Sequence, residues 1–315
     1  MAIISIILGL IILYLGGETL IKAAVSVARH LNISKFLVSS VIVGFGTSMP
    51  EMTISVDAML QNTPEIAVGN VIGSNITNIL LILGIAAMIT PFSLQDRSIK
   101  RDIVAMLMAT IVFSLFAFLN TIGFFHGLLL LTILVAYIIY SYIKDKESFS
   151  TQDAQDLLSD IGCFKNLNFP LSILLSVLGI VLLVTGSSLF LEGSIAIANQ
   201  FNISKEIIGL GIVAAGSCLP ELAAAIVASI RRQGNIVIAS IVGSNIFNIL
   251  SIMGVVSMID DIKTPQHILK FDLWVFLSVS LLLAYMLLTN IKFSRKVGAA
   301  FFISYILYVL LLFHD

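Results

Sequence analysis

The strongest constraint on the fold of this chain is a pair of motifs that occurs twice, at an offset of 170 residues. GTSMPE at 46–51 corresponds to GSCLPE at 216–221, and GSNITNIL at 73–80 corresponds to GSNIFNIL at 243–250. Each copy places one glutamate within a long apolar stretch, where a charged side chain costs about 2.5–3.5 kcal/mol to insert into a membrane. Two equivalent carboxylates in such surroundings indicate a site visited by cations.

The composition requires a membrane environment. Hydrophobic residues make up 58% of the 315 residues and charged residues 11%, and the mean hydropathy is +1.08, which leaves too little polar surface for a soluble globule. The net charge of −1 offers no basic surface for nucleic acid, and no obligate protein partner is indicated. The two cysteines, Cys163 and Cys218, form neither a metal-ligand cluster nor an expected disulfide, and no cofactor is expected.

Apolar stretches of helix length predict an all-α polytopic membrane protein with ten transmembrane helices, since one crossing of the bilayer needs about 20 residues. The only extended hydrophilic segment, 144–168, is interpreted as a cytoplasmic linker between a first half, 1–143, and a second half, 169–315. The predicted spans are 2–27, 36–60, 66–89, 102–120, 124–143, 169–198, 206–229, 236–258, 271–290 and 297–313.

The distribution of basic residues predicts the orientation. With the N-terminus outside, the cytoplasmic loops hold thirteen of the 17 Lys and Arg residues, as the positive-inside rule requires. Both termini are therefore expected outside the cell (inner or plasma) membrane. Because five helices per half is an odd number, the second half enters the membrane in the opposite sense. This predicts an inverted-topology repeat with its site at the midplane.

Helix-breaking residues precede each glutamate. Glycine and proline occur in the segments 44–50 and 209–220, immediately before Glu51 and Glu221. A break inside a membrane frees backbone carbonyls, which is tolerable only where they line a cavity or bind an ion. Neutral oxygen donors suited to Na⁺ and Ca²⁺ stand beside the breaks, at Thr47, Ser48 and Ser217. The alternative is a structural glutamate, protonated or paired, although the second, third, seventh and eighth predicted spans contain no Lys or Arg.

The motif Gly-Ser-Asn-x-x-Asn brings polar side chains onto one helix face. Residues four apart are neighbours on a helix, which pairs Ser74 with Asn78 and Ser244 with Asn248. Helix packing is the alternative, because small residues and asparagines are common where membrane helices meet. For Asn75 and Asn245, packing and ion ligation remain equally open.

With these motifs the whole chain resembles the sodium/calcium exchanger family of the cation/calcium exchanger superfamily, in its prokaryotic ten-helix branch. The two α-repeats of that family would occupy 36–89 and 206–258. The resemblance implies that Glu51 and Glu221 are central carboxylates shared in alternation by Ca²⁺ and Na⁺. The other ligands that it implies are hydroxyl or backbone oxygens of Thr47 and Ser217, hydroxyls of Ser48, Ser74 and Ser244, backbone carbonyls of Gly44 and Ala214, and the side chains of Asn78 and Asn248.

Two positions depart from the family pattern. Cys218 stands where the first half has Ser48, and a thiol is a poor Na⁺ ligand, so we expect altered coupling rather than a silent replacement. Asn248 stands where some relatives have aspartate, which leaves two carboxylates at the centre.

The expected function is secondary-active antiport of Ca²⁺ against Na⁺ by alternating access, with the bilayer as surroundings and both ions as substrates. The alternatives are the same fold coupling a divalent cation to H⁺ or K⁺, and a passive cation channel. A membrane enzyme is disfavoured, because no nucleophile or intramembrane histidine accompanies the glutamates.

Overall fold

A computed structural model describes residues 2–93, 99–119, 121–148, 167–200 and 214–312, and these residues are mostly helical. Two short strands, β1 (Thr121–Ile122) and β2 (Ile262–Lys263), pair antiparallel in the register Ile122 with Ile262. The helices are α1 (Ala2–Leu31), α2 (Phe36–Thr47), α3 (Met49–Leu60), α4 (Pro64–Ile89), α5 (Ile99–Phe118), α6 (Phe124–Ser148), α7 (Phe169–Gln200), α8 (Ala214–Ser217), α9 (Leu219–Ile230), α10 (Gly234–Ile259), α11 (Ile268–Leu288) and α12 (Arg295–Leu312).

The prediction of a helical membrane protein is confirmed. Over the described ranges, eight helices are long and apolar enough to cross a membrane, or nine if α2 and α3, bent by 43°, form one broken span. The predicted span 206–229 corresponds to α8 and the 12-residue helix α9, and its residues 206–213 lie outside the described part. The count of ten helices and the inverted relation of the halves therefore stay predictions.

One helix boundary differs from the sequence prediction. Helix α6 continues to Ser148, five residues into the stretch interpreted as linker, and 149–166 lie outside the described residues. Lys144 and Glu147 pair at 2.9 Å across one turn. Asp145 accepts a hydrogen bond from the Ser34 hydroxyl at 3.1 Å. These contacts stabilise the last turn, which hydropathy alone assigns to a loop.

The two helices that carry the Gly-Ser-Asn motifs form the centre of the protein. Their most apolar 18-residue windows are 100% buried in α10 and 72% buried in α4, against 28% in α1, α6 and α7. Exposed leucine, isoleucine and valine side chains cover the outer helices, as expected for surfaces that face lipid. The repeated motifs therefore lie away from lipid.

Long helices α1 and α7 pack against each other through glycines spaced seven residues apart. A Cβ at Gly16 would lie 2.8 Å from the Leu183 nitrogen, and one at Gly179 would lie 2.7 Å from the Leu20 nitrogen. Small residues allow membrane helices to approach at backbone distance. The same arrangement recurs at Gly9, Gly186 and Gly193.

We predict that Gly16→Ala destabilises the protein, because the added methyl group cannot fit between α1 and α7 without moving a backbone. Overpacking of this kind costs about 1–3 kcal/mol. Gly69→Ala is the matched control, since a Cβ there meets no atom within 4 Å. Thermal unfolding in detergent should show a lower melting temperature for Gly16→Ala alone. Equal melting temperatures for the two variants would contradict the proposed contact.

Candidate functional site

Both glutamates lie just after a break in a helix, as the glycine and proline residues predict. The break between α2 and α3 is at Ser48, with φ −81° and ψ 8°. The break between α8 and α9 is at Cys218, with φ −85° and ψ 6°. Glu51 and Glu221 are in the first turn of the helix that follows, where the positive end of the helix dipole favours a carboxylate.

Each glutamate is approached by polar side chains from the other half of the chain. Glu51 and Glu221 are only 1% and 7% exposed. The Ser48 hydroxyl donates a hydrogen bond to Glu221 Oε1 at 3.3 Å, and Thr47 lies against the same carboxylate. Ser217 and Cys218 lie against Glu51 in the corresponding way. The two glutamates are close enough to interact electrostatically, so the structure brings the two GxxxPE-type segments together into one site.

The motif asparagines also cross between halves. Asn78 Nδ2 donates to Asn245 Oδ1 at 3.0 Å, and Asn248 Nδ2 donates to the Ser74 hydroxyl at 3.1 Å. Asn75 donates its amide to the Val71 carbonyl of its own helix at 2.6 Å. Asn245 therefore makes a packing contact, one of the two interpretations left open by the sequence.

Wider helical turns coincide with these asparagines. π-helical turns cover Asn78–Ile82 in α4 and Asn248–Ile252 in α10, at the same offset as the motifs. Such turns occur frequently at functional sites, because they interrupt the regular hydrogen-bonding pattern of an α-helix.

The remaining predicted ligands lie around the break in α2. Gly44 O accepts a hydrogen bond from the Ser244 hydroxyl at 3.0 Å. The Thr47 hydroxyl donates to Val43 O at 2.9 Å, which leaves its oxygen lone pairs able to bind a cation. Ala214 is the first residue of α8, three positions before Ser217.

Several buried oxygens of this site have no hydrogen-bond donor within normal distance. They are both carboxylate oxygens of Glu51, Oε2 of Glu221, and Oδ1 of Asn75, Asn78 and Asn248. An unsatisfied buried acceptor costs about 1–3 kcal/mol. A hard cation would satisfy such oxygens, since Ca²⁺ and Na⁺ prefer carboxylate, carbonyl and hydroxyl ligands. The donor set therefore fits these ions.

Basic side chains pair with acidic groups other than the two glutamates. Across the described helices the ion pairs join Glu18 to Lys22 at 2.7 Å and to Arg231, Arg101 to Asp102 and Asp145, and Lys144 to Glu147. The Glu18–Lys22 pair follows from their spacing of four residues. Arg231 as a second partner of Glu18 could not be found from sequence, because it comes from α9.

Asn70 is a site residue that sequence reasoning missed. Its amide donates to the Glu51 backbone oxygen at 3.0 Å and to the Ser55 hydroxyl at 2.8 Å, which holds α3 against α4 beside the glutamate. Its position four residues before Ser74 on one helix face was the available signal. Asn70 has no asparagine equivalent 170 residues later, where Ser240 stands, so the repeat did not reveal it.

A cavity of about 620 Å³ leads from the protein surface to this site. At one end it is lined by Glu65, His267 and Leu312, which lie at or beside helix ends, and at the other by Ser74 and Ser217. The site is therefore accessible from one end of the helix bundle.

Comparison with known proteins gives a consistent result. The sequence matches the family described as sodium/calcium exchanger protein over residues 1–143 and 171–314. It is 32% identical to the putative antiporter CaxA of Alkalimonas amylolytica, over 99% of this chain and 98% of that protein. It is 28% identical to the sodium/calcium exchanger MaX1 of Methanosarcina acetivorans, over 98% and 97%. The fold matches a solved structure of the sodium-calcium exchanger NCX_Mj with a TM-score of 0.84 and 28% identity, over 99% of this chain and 98% of that one.

We predict that Ca²⁺ raises the melting temperature of the purified protein and that Glu51→Gln abolishes this shift. A ligand that binds only the folded state at about 100 times its dissociation constant stabilises that state by about 2.7 kcal/mol. Glu147→Gln is the matched control, because Glu147 is exposed at the end of α6. An undiminished shift in Glu51→Gln, or none in the wild type, would contradict the assignment of the site.

Proposed function

Because the chain belongs to the sodium/calcium exchanger family, which confirms the resemblance seen in its motifs, we propose that it exchanges Ca²⁺ for Na⁺ across the cell membrane. The proteins that it resembles are transporters rather than enzymes. The proposed site consists of Glu51 and Glu221 with the surrounding hydroxyl, amide and backbone oxygens.

The observation that carries this proposal is the meeting of Glu51 and Glu221, each beside polar groups of the opposite half. Two carboxylates balance the charge of one Ca²⁺, and their surroundings offer only weakly basic oxygens and one thiol. The same oxygens accept Na⁺, because both ions are hard and prefer oxygen ligands. Competition for the same carboxylates would make binding of the two ions mutually exclusive.

Charge also explains why transport would require exchange. A site with two ionised carboxylates and no cation carries a net negative charge that is expensive to hold in a low-dielectric interior. The change between open states should therefore be fast only when cations occupy the site. This condition couples entry of one ion to exit of the other.

The cavity supports alternating access. Its mouth lies where α4 begins and α12 ends, and the positive-inside rule places both of these ends outside the cell. In this conformation the site would open outward, with both termini outside. The inverted relation of the halves would supply the inward-open state, because exchanging their conformations would open the other end.

One observation favours a second candidate, in which another ion replaces Na⁺. Cys218 lies against Glu51 at the position equivalent to Ser48, which binds Glu221. A thiol binds Na⁺ poorly, so coupling to H⁺ or K⁺ through the same fold is the alternative to Na⁺.

We predict that Na⁺-loaded proteoliposomes take up ⁴⁵Ca²⁺ after dilution into Na⁺-free buffer. Glu51→Gln and Glu221→Gln should each reduce the initial rate at least about tenfold, since losing one charged ligand costs about 1.5–3 kcal/mol. The exposed-site variant Glu147→Gln should transport like the wild type.

Three results would revise the proposal in different ways. Uptake that ignores Na⁺ but follows a pH or K⁺ gradient would keep the antiporter and replace the coupling ion. Uptake without any counter-ion would indicate a channel. Absence of uptake by a folded protein under all gradients would refute calcium as the substrate.

We predict opposite effects on Na⁺ affinity from exchanging the two residues at the helix breaks. Cys218→Ser should lower the Na⁺ concentration that half-inhibits Ca²⁺ binding, because a hydroxyl is a better Na⁺ ligand than a thiol. Ser48→Cys should raise it. Titration of ⁴⁵Ca²⁺ binding with Na⁺ measures both. Identical inhibition curves for the wild type and Cys218→Ser would show that the thiol has no influence on coupling.

A further inference from the structure

We propose that Asp272 is an entry residue, whose carboxylate attracts cations into the outer cavity and thereby raises their apparent affinity from that side only. The inference rests on the proposed cation exchange at Glu51 and Glu221. It concerns the route to the site rather than the site itself.

Asp272 lies in the wall of the cavity and not in the glutamate site. It ends the π-helical turn Ile268–Asp272 at the start of α11 and is only 7% exposed. The cavity wall that includes it extends inward to Ser74 and Ser217. A cation that enters by this cavity must pass the Asp272 carboxylate before reaching the glutamates.

A polar strip runs along α12 beside this route. The Tyr308 hydroxyl donates to Asp272 Oδ1 at 2.9 Å. One turn deeper, Thr77 donates its hydroxyl hydrogen to the Tyr305 oxygen at 3.4 Å. Both tyrosines line the cavity, so oxygen atoms are available between the mouth and Ser74.

The rest of the wall strengthens the effect of a carboxylate. Isoleucine, valine and leucine side chains make up much of the lining, and its described members include Glu65 and Asp272 but no Lys or Arg. Clefts with one sign of charge and low-dielectric walls concentrate the electric field and raise the local concentration of counter-ions. The cavity is therefore built to attract cations.

The repeat separates this role from a purely structural one. Asp102 is the equivalent residue 170 positions earlier, and it is fully buried with its carboxylate 2.6 Å from Arg101 Nε. The residue equivalent to Arg101 is Phe271. The first half thus supplies an adjacent guanidinium to its aspartate, whereas the second half supplies a phenylalanine and a place in the cavity wall.

Hydrogen bonding to Tyr308 does not require a negative charge. An asparagine could accept the same hydrogen bond through its Oδ1, because amide and carboxylate oxygens are both acceptors. Asp272→Asn therefore removes the charge and keeps the acceptor. Tyr308→Phe does the reverse, since it removes the donor and keeps the carboxylate.

The test compares ⁴⁵Ca²⁺ uptake driven by opposite Na⁺ gradients in right-side-out and inverted membrane vesicles, with vesicles from cells lacking the protein as blank. Asp272→Asn should raise the half-saturating Ca²⁺ concentration roughly 3- to 10-fold in right-side-out vesicles, by loss of a nearby negative charge. It should leave that concentration unchanged in inverted vesicles. Asp272→Glu and Tyr308→Phe should stay within about twofold of the wild type, because both keep the charge.

Ionic strength provides a measurement that needs no variant. Raising choline chloride from about 10 mM to about 300 mM shortens the screening length several-fold, so the half-saturating Ca²⁺ concentration of the wild type should rise more on the outer side. Asp272→Asn should reduce this difference between sides.

Specific results would overturn the inference. They are an unchanged half-saturating concentration in Asp272→Asn, an equal change from both sides, an equal effect of Tyr308→Phe, or an equal salt dependence of the wild type on both sides. Absence of Na⁺-driven Ca²⁺ uptake in wild-type vesicles would instead refute the proposed function, so the two failures are distinguishable.

Discussion

The structure depends on the burial of two carboxylates, Glu51 and Glu221, in the middle of an otherwise apolar helical protein. Neither could be accommodated in a continuous, fully hydrogen-bonded helix surrounded by lipid-like side chains. The breaks at Ser48 and Cys218 solve this problem, because each starts a new helix whose positive end faces a glutamate. The central placement of α4 and α10 then shields the site from lipid and brings amide and hydroxyl oxygens to it.

The features that sequence could predict are those that depend on repetition and local chain chemistry. The offset of 170 residues located both glutamates, both breaks and both asparagine motifs, because equivalent segments have equivalent backbones. Hydropathy located the long helices to within a few residues, except at α6, where ion pairing and the Ser34–Asp145 contact extend the helix.

Contacts between distant elements could not be predicted in this way. The pairing of Glu18 with Arg231 joins α1 to α9, and the hydrogen bond of Asn70 to the Glu51 backbone joins α4 to α3. Both depend on how the helices pack. Asp102 and Asp272 obey the same offset as the motifs and could have been found, but neither lies within a conspicuous motif. Residues 206–213, expected to begin the seventh span, lie outside the described part of the chain.

The differences between the halves are as informative as their similarity. Cys218 replaces the hydroxyl of Ser48, and Phe271 replaces the guanidinium of Arg101. The first difference changes a group that lies against a glutamate, and the second changes the surroundings of an aspartate near a helix end. A symmetric pair of halves would treat the two sides of the membrane alike. These replacements give the protein a physical basis for treating its two ions and two sides differently.

The most direct test of the central claim is equilibrium binding of ⁴⁵Ca²⁺ to the purified protein at increasing Na⁺ concentration, at constant ionic strength. If both ions use Glu51 and Glu221, the half-saturating Ca²⁺ concentration should rise continuously with Na⁺ while the amount of Ca²⁺ bound at saturation stays constant. A Ca²⁺ affinity that is independent of Na⁺, or that falls to a plateau at which both ions are bound together, would contradict a shared site.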